Sequence, residues 1–326
     1  MSASAVTNYT ALPMINRRVR AYFAPVNRIQ QIPVIFDPSQ TGQFSLDAPP
    51  APWIDLGWIE NFARKSTSSI SALSSGVPSV AQYQVREGTG ATVSFRFKVW
   101  SKLTMALAAG SQHMNLIQTL SGGTSNGSGS KGISAVSAQA GSTATNIVLN
   151  ATDTAPFSTG CMVTADIDYT GQTGFVGSGV SAAYVRSSAT VNNDPDYIRR
   201  VSFNVARVGQ VTTSGLQLAQ PLLAGAPMNG IKVQPITGFV DREGGSFFHE
   251  WSALFVMAGE QGDRLIFHYP RLQAMQGAAE SADTLTAPLE RIALNASFCA
   301  LPVTDGNDGE QVVCFRSFLP GSATLI

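Results

Sequence analysis

Three histidines are the first residues to weigh for chemistry. His113, His249 and His268 are far apart in the chain, but His249 and His268 fall on opposite strands of an expected hairpin, with Glu250 and Asp263 close by. Imidazole and carboxylate groups on paired strands are the donors a transition metal takes. The plainer reading is polar punctuation on a strand face, and it is the one adopted. Asp305-Gly-Asn-Asp-Gly-Glu310 gathers oxygen ligands of the kind calcium prefers. It lacks the full EF-hand spacing, so an Asx/Gly turn is expected. Asp166-x-Asp168 and Asn192-Asn-Asp-Pro-Asp196 are read in the same way. Gly177-Ser178-Gly179 has no strand–turn–helix context with partner His and Asp, so it is no nucleophile elbow. The Gly-rich stretch 121–130 does not end in Lys-Ser/Thr, so it is no phosphate loop. Cys161, Cys299 and Cys314 are odd in number and widely spaced, as buried thiols are, and not as a disulfide framework is. No catalytic, cofactor-binding or metal-ligating residue is assigned, and no enzyme and no cofactor are expected.

Composition points the same way. The 326 residues carry 21 Lys plus Arg and 21 Asp plus Glu, a formal net charge of zero. A phosphate-gripping protein concentrates cations, so a strongly basic nucleic-acid binder is excluded. Near-zero net charge favours association. The N-terminus has no cationic region leading into an apolar core, so no secretory signal is expected, and no apolar run reaches the ~20 residues of a membrane span. Folding in a reducing cytoplasm, without membrane insertion, is the expectation.

The elements that would position any site are strands. Thr92-Val-Ser-Phe-Arg-Phe-Lys-Val-Trp100 alternates Val93, Phe95, Phe97 and Val99 with polar residues that include Arg96 and Lys98. Period two with one polar face is a half-buried strand. Residues 102–109 then predict a short helix stopped at Gly110, packed over Val93, Phe95, Phe97 and Val99. Residues 81–86 alternate too, and Glu87-Gly-Thr-Gly90 predicts a turn, making 81–86 and 92–100 a hairpin. A second hairpin is expected from 247–257 and 264–269, apolar on both faces and so covered on both. Trp53-Ile-Asp-Leu-Gly-Trp58-Ile-Glu-Asn-Phe62 predicts a strand with a bulge at Gly57. Residues 32–36 predict a strand edge, and 37–52 a long loop. Residues 290–303 and 309–318 add two strands. The chain divides into an N-terminal arm (1–20), a first part (21–120), an inserted small all-β domain (131–237) with short strands at 146–149, 162–168, 180–185, 198–205 and 216–218, and a second part (238–326). The class is mainly β, a sandwich or barrel with one flanking helix.

Three segments carry a resemblance: Trp53-Ile-Asp-Leu-Gly57, the strand–helix 93–107, and Ala300-Leu-Pro-Val-Thr-Asp-Gly-Asn-Asp-Gly-Glu310 running into 312–319. In pattern and order, over 21–112 and 238–320, the chain resembles the tail tube proteins of non-contractile, siphovirus-like phages. The resemblance implies a structural virion protein, assembled in the bacterial cytoplasm and residing in the tail. Subunits would form rings, hexameric or trimeric with pseudo-sixfold symmetry, stacked into a conduit through which DNA passes non-specifically. Tape measure and terminator proteins would be partners. The insert is a departure from the family pattern, of the kind some members carry outside the tube. Trp53, Asp55, Gly57, Arg96, Lys98, Trp100, Phe247, His249 and Trp251 are the candidate inter-subunit or tube-wall residues. If Arg96 and Lys98 face a lumen, Glu60, Glu87 or Glu250 should offset them. Another tail, baseplate or secretion-tube component, or an adhesion or carbohydrate-binding β-sandwich, are the alternative readings.

Overall fold

The computed structural model describes residues 16–26, 32–39, 44–45, 48–50, 52–118, 133–166, 204–223, 225–242, 250–259, 262–275, 279–286 and 289–321. In chain order its elements are β1 (Asn16–Pro25), β2 (Ile54–Ser75), β3 (Val80–Phe97), α1 (Lys102–Ala109), β4 (Gln112–Ile117), β5 (Val136–Ser137), β6 (Asn146–Val148), β7 (Met162–Asp166), β8 (Val205–Thr212), β9 (Gly215–Leu218), β10 (Lys232–Arg242), β11 (Glu250–Gly259), β12 (Arg264–Ala274), β13 (Ala279–Thr286), β14 (Leu289–Ala300), β15 (Val303–Thr304), β16 (Gln311–Val312) and β17 (Phe315–Leu319). The protein is mainly β with one α-helix among the described residues.

The first sheet runs β13-β14-β3-β2-β1-β11-β12-β17, and a further pairing of β14 with β12 joins its two halves. Six strands, β14-β3-β2-β1-β11-β12, therefore close on themselves as an antiparallel barrel. β14 lends one edge to β3 through Leu294–Ala300 and splits the other between β13 and β12. A barrel this narrow must be filled by side chains. Phe23, Phe95, Phe97, Trp251, Phe255, Tyr269 and Phe298 fill it, in mostly edge-to-face contacts, with Phe95 stacked on Phe298. β11 is buried on its other face too: Leu254 and Val256 pack with Tyr22, Phe36, Phe44 and Trp53. The apolar character of both faces of this strand is thus explained by a core inside and a loop outside. Residues 33–37 form no strand; their place is fixed by Ser252, whose Oγ accepts from the Val34 N–H (2.9 Å) and donates to the Pro270 carbonyl (2.7 Å). Pro270 sits at a register shift between β11 and β12, where a ladder N–H is not required.

α1 matches the expected helix. The Ser101 and Thr104 side chains cap each other's backbone N–H groups, and Gly110 ends the helix at φ 62°, a left-handed turn that glycine adopts without a Cβ penalty. Ala106, Leu107 and Ala108 join the barrel core.

The second sheet, β4-β10-β7-β8-β9-β6 with β5 on β10, has a core of its own, including Ile147, Val163, Ala206, Val208, Leu216 and Val233. It takes in residues 112–117 and 238–242, which the sequence places in the flanking parts. β4 and β10 pair antiparallel, so the two chain crossings between the sheets lie side by side. β1 likewise starts at Asn16, inside the expected N-terminal arm. The strands expected at 180–185 and 198–203 lie outside the described residues.

The first hairpin differs most from expectation. Residues 80–97 are one unbroken strand, and its partner is β2, joined by the turn at 76–79. Glu87-Gly-Thr-Gly90 is no turn: Gly88, Thr89 and Gly90 stay in the ladder opposite Ser69, Ser68 and Thr67, and Glu87 is an extra residue at a register shift. A bulge imitates a turn in sequence because both take small residues with one residue out of step. β3 also ends at Phe97, so Val99 lies outside the barrel, 60% exposed, and does not pack under α1.

Candidate assembly surface

The barrel uses only part of β2 and β3. β1 pairs with β2 no further than Ile59, and β14 pairs with β3 only over residues 91–97. Beyond them residues 66–90 continue as a two-stranded arm. Among the described residues no third strand meets either of its outer edges. Residues 65–89 are exposed on both faces.

The arm is nevertheless one-sided. Pairing places Leu73 opposite Tyr83, Ser71 opposite Val85, and Ser75 opposite Val80 on one face. A second register shift, at Gln82, keeps Val80 in step with Tyr83 and Val85. On that face Leu73 is 63% exposed, Val80 56%, Tyr83 74% and Val85 51%. The other face carries Ile70, Ala72, Ser74, Ala81, Gln84 and Arg86. The twenty residues 66–85 contain no charge. Lone sheet edges are normally blunted by Lys, Pro or short length, and an isolated two-stranded hairpin is marginal in water. Exposed apolar side chains grouped on one face of such an arm are a candidate interaction surface.

The named candidates scatter across this frame. Asp55 and Gly57 build the subunit itself. The Arg20 guanidinium donates from Nε (3.1 Å) and Nη2 to the two Asp55 carboxylate oxygens, and Asp55 accepts from the Gly57 N–H (2.8 Å). The β1–β2 register shifts there, with Gly57 at φ 76°, as the sequence expected of a bulge. Trp53 and Trp251 are buried, in the outer cluster and the barrel core respectively, so neither is free to anchor a partner. Large aromatic residues stand out in sequence equally for cores and for interfaces; here these two went to the core. Trp100 is 42% exposed, stacks at a tilt on Phe239 and donates from Nε1 to Glu280 (3.2 Å). Arg96 donates to Asn295 Oδ1 (3.4 Å), and Lys98 pairs with Glu60 at 3.2 Å. Glu250 pairs instead with Arg271, at 3.0 Å. Phe247 and His249 lie outside the described residues.

Nor, among the described residues, is polar chemistry gathered elsewhere. His268 is buried beside Phe36, Trp53 and Phe315, its Nε2 3.2 Å from the Val34 carbonyl. Burial lowers its pKa to about 4, so the ring is neutral at pH 7. The Tyr269 hydroxyl accepts from Arg64 Nε (2.9 Å) and also meets the Cys314 thiol, and burial raises its pKa to about 12. Burial also raises the Cys314 thiol, the opposite of an activated nucleophile. The loop at 305–310 closes on itself, Asp305 Oδ1 accepting from the Asn307 N–H. Among the described residues no three His, Cys, Asp or Glu form a metal-ligating group, and no helix is long and apolar enough to cross a membrane.

The exposed apolar residues of the arm, Leu73, Val80, Tyr83 and Val85, were not singled out from sequence. Their signal was present: alternating apolar residues within twenty uncharged positions, next to a strand too long for one barrel. No family model matches the chain, and no curated protein is similar to it.

Proposed function

We propose that the protein is a self-assembling structural subunit, and that its assembly is the tail tube that the sequence resembles. The observation that carries this reading is the bare arm. Its backbone edges offer strand pairing to neighbouring copies, and closing a ring removes every such edge. Rings of six copies, or three with pseudo-sixfold symmetry, follow from the resemblance. An interface in which an arm meets a different surface of the next copy is heterologous; repeated with a closing rotation it gives rings, and along an axis it gives a filament. The uncharged stretch 66–85 also suits a conduit for DNA, because phosphate attraction grows with every cation contacted.

The test is assembly of the purified full chain, followed by negative-stain microscopy and sedimentation. Rings or stacked tubes are expected, with backbone amides of 66–90 protected from exchange only in the assembled fraction. A monomer at all concentrations and ionic strengths, with those amides unprotected, overturns the reading.

A further inference from the structure

The arm has an apolar face that no surface among the described residues of its own subunit covers. At the other end of β3 lies a surface of matching character. Four residues past Phe97, where the chain leaves the barrel, α1 and the second sheet enclose a cleft of about 380 Å³. Its walls include Leu103, Met162, Val205, Pro221, Leu223 and Phe239. The one cation among the lining residues, Lys102, is buried; its Nζ donates to Asn115 Oδ1 and lies 5.9 Å from the Phe239 ring centroid. The cleft therefore offers apolar walls with its charge already engaged.

We infer that this cleft receives the apolar face of the arm, Leu73, Tyr83 and Val85, from a second copy of the chain. The inference rests on the assembly reading above and names the two surfaces that meet. Four observations carry it. First, the occupant is not the subunit's own arm. β3 is 18 residues long, so at ~3.3 Å per residue roughly 55 Å of extended strand separates the arm's turn from the cleft. Second, the surfaces match in charge: an arm with no ionised group over twenty residues meets a cleft whose cation is satisfied, so docking strands no charge. Third, the volume fits. An enclosed cavity of about 150 Å³ holds benzene, and this cleft, open on one side, has about 380 Å³, room for an aromatic ring such as that of Tyr83. Fourth, the exposed apolar surface continues from Phe239 onto Trp100 and thence to Val99, which extends the docking site beyond the cleft mouth.

Arm and cleft sit at opposite poles of one strand, so each docked copy presents a fresh arm to the next. Used reciprocally by two copies the contact closes as a twofold dimer with the two β3 strands antiparallel; repeated in one sense it propagates. Its axial repeat has an upper limit of roughly 55 Å, the length of β3, and is shorter if the strands tilt as barrel strands do.

Two single variants test the pairing: Tyr83→Cys in one preparation and Phe239→Cys in another. Mixed and oxidised, they should give a covalent dimer that neither gives alone and that the native Cys161, Cys299 and Cys314 do not give in the unaltered chain. In a separate measurement, Tyr83→Ser and Phe239→Ser should each raise the concentration needed for stacking by at least roughly tenfold, as truncation of a central interface aromatic does. Tubes that form normally in both serine variants, with no mixed dimer from the cysteine pair, overturn the docking and leave the assembly reading standing. Absence of any assembly by the unaltered chain overturns the assembly reading itself.

Discussion

Strand β3 lives in two environments. Residues 91–97 send Ala91, Val93, Phe95 and Phe97 into a barrel filled with aromatic rings, while residues 80–89 of the same strand lie bare to solvent. Both halves alternate apolar with polar residues, and both hydrogen-bond to β2. The difference is what stands behind them. In the barrel, six strands close around a shared core; on the arm, two strands have nothing among the described residues to close around. Alternation therefore specifies that one face will be covered, and not whether the cover comes from the same chain.

The largest expected effect breaks the two halves apart energetically. Phe95 and Phe298 stack at 5.6 Å in the barrel core, each at most 3% exposed. Phe95→Ala or Phe298→Ala should lower the unfolding free energy of the isolated subunit by about 3–5 kcal/mol, through lost transfer energy and the cavity left behind. Tyr83→Ser, on the arm, should leave it within about 0.5 kcal/mol. Denaturant titration of unassembled protein measures both. Equal losses at the two sites would mean that the arm is packed within the subunit.

Acid should act on the barrel side and spare the arm. His268 is 2% exposed and lies between the outer aromatic cluster and β17. Its folded pKa, about 4, is below its ordinary value of 6.5. Between these values the unfolded chain binds a proton that the folded one does not. The stabilisation is thus complete above pH 6.5 and is lost as pH falls towards 4, by up to about 3 kcal/mol. The outer part of the arm, residues 66–82, has no titratable group and should show no matching change. Denaturation midpoints at pH 7 and pH 4 check this, and His268→Phe should remove most of the difference.

What the sequence disclosed follows from the same contrast. α1 was legible because its signals are local: the run 102–109 and a Gly110 stop; the Ser101–Thr104 cap, local too, came only with the structure. The bulge at Gly57 was legible for the same reason. The β2–β3 pairing was not. Glu87 and Gln82 each put β3 one residue out of step with β2. In sequence, Tyr83 and Val85 share the odd numbering of Val93 and Phe95 and look like one continuous apolar face. In space, the Glu87 bulge turns them to the opposite face. A single inserted residue flips every side chain beyond it, and nothing in composition separates such a bulge from a turn. Barrel closure was equally hidden, since it depends on three residue pairs between β12 and β14.

A middle-sized effect tests whether the Trp53–Gly57 segment serves the subunit or the assembly. Asp55 holds Arg20 through two hydrogen bonds and the Gly57 N–H through a third, all partly buried. Arg20 also lies over the Trp58 ring, 5.4 Å from its centroid. Asp55→Ala removes these charge-assisted bonds from a partly buried site, for a loss of about 1–3 kcal/mol in the isolated subunit. Thermal unfolding below the assembly concentration measures it. A variant of unchanged stability that no longer assembles would move Asp55 back among the interface residues.

The smallest effect is expected at the boundary between the two environments. Lys98 follows the last barrel residue of β3, and its Nζ meets Glu60 Oε1 at 3.2 Å, with side-chain exposures of 39% and 31%. An ion pair this open to water contributes about 0–1 kcal/mol, because screening and side-chain ordering offset most of the attraction. Lys98→Ala should therefore change subunit stability by less than about 1 kcal/mol, and less again at high salt. In an assembled tube its effect depends on where the pair ends up. Enclosed by a neighbouring copy, the pair is desolvated, and removing Lys98 strands the Glu60 carboxylate in the interface. Comparing Lys98→Ala in dissociated and assembled protein, across a salt series, measures how far the closed environment of the barrel extends along β3 once copies meet.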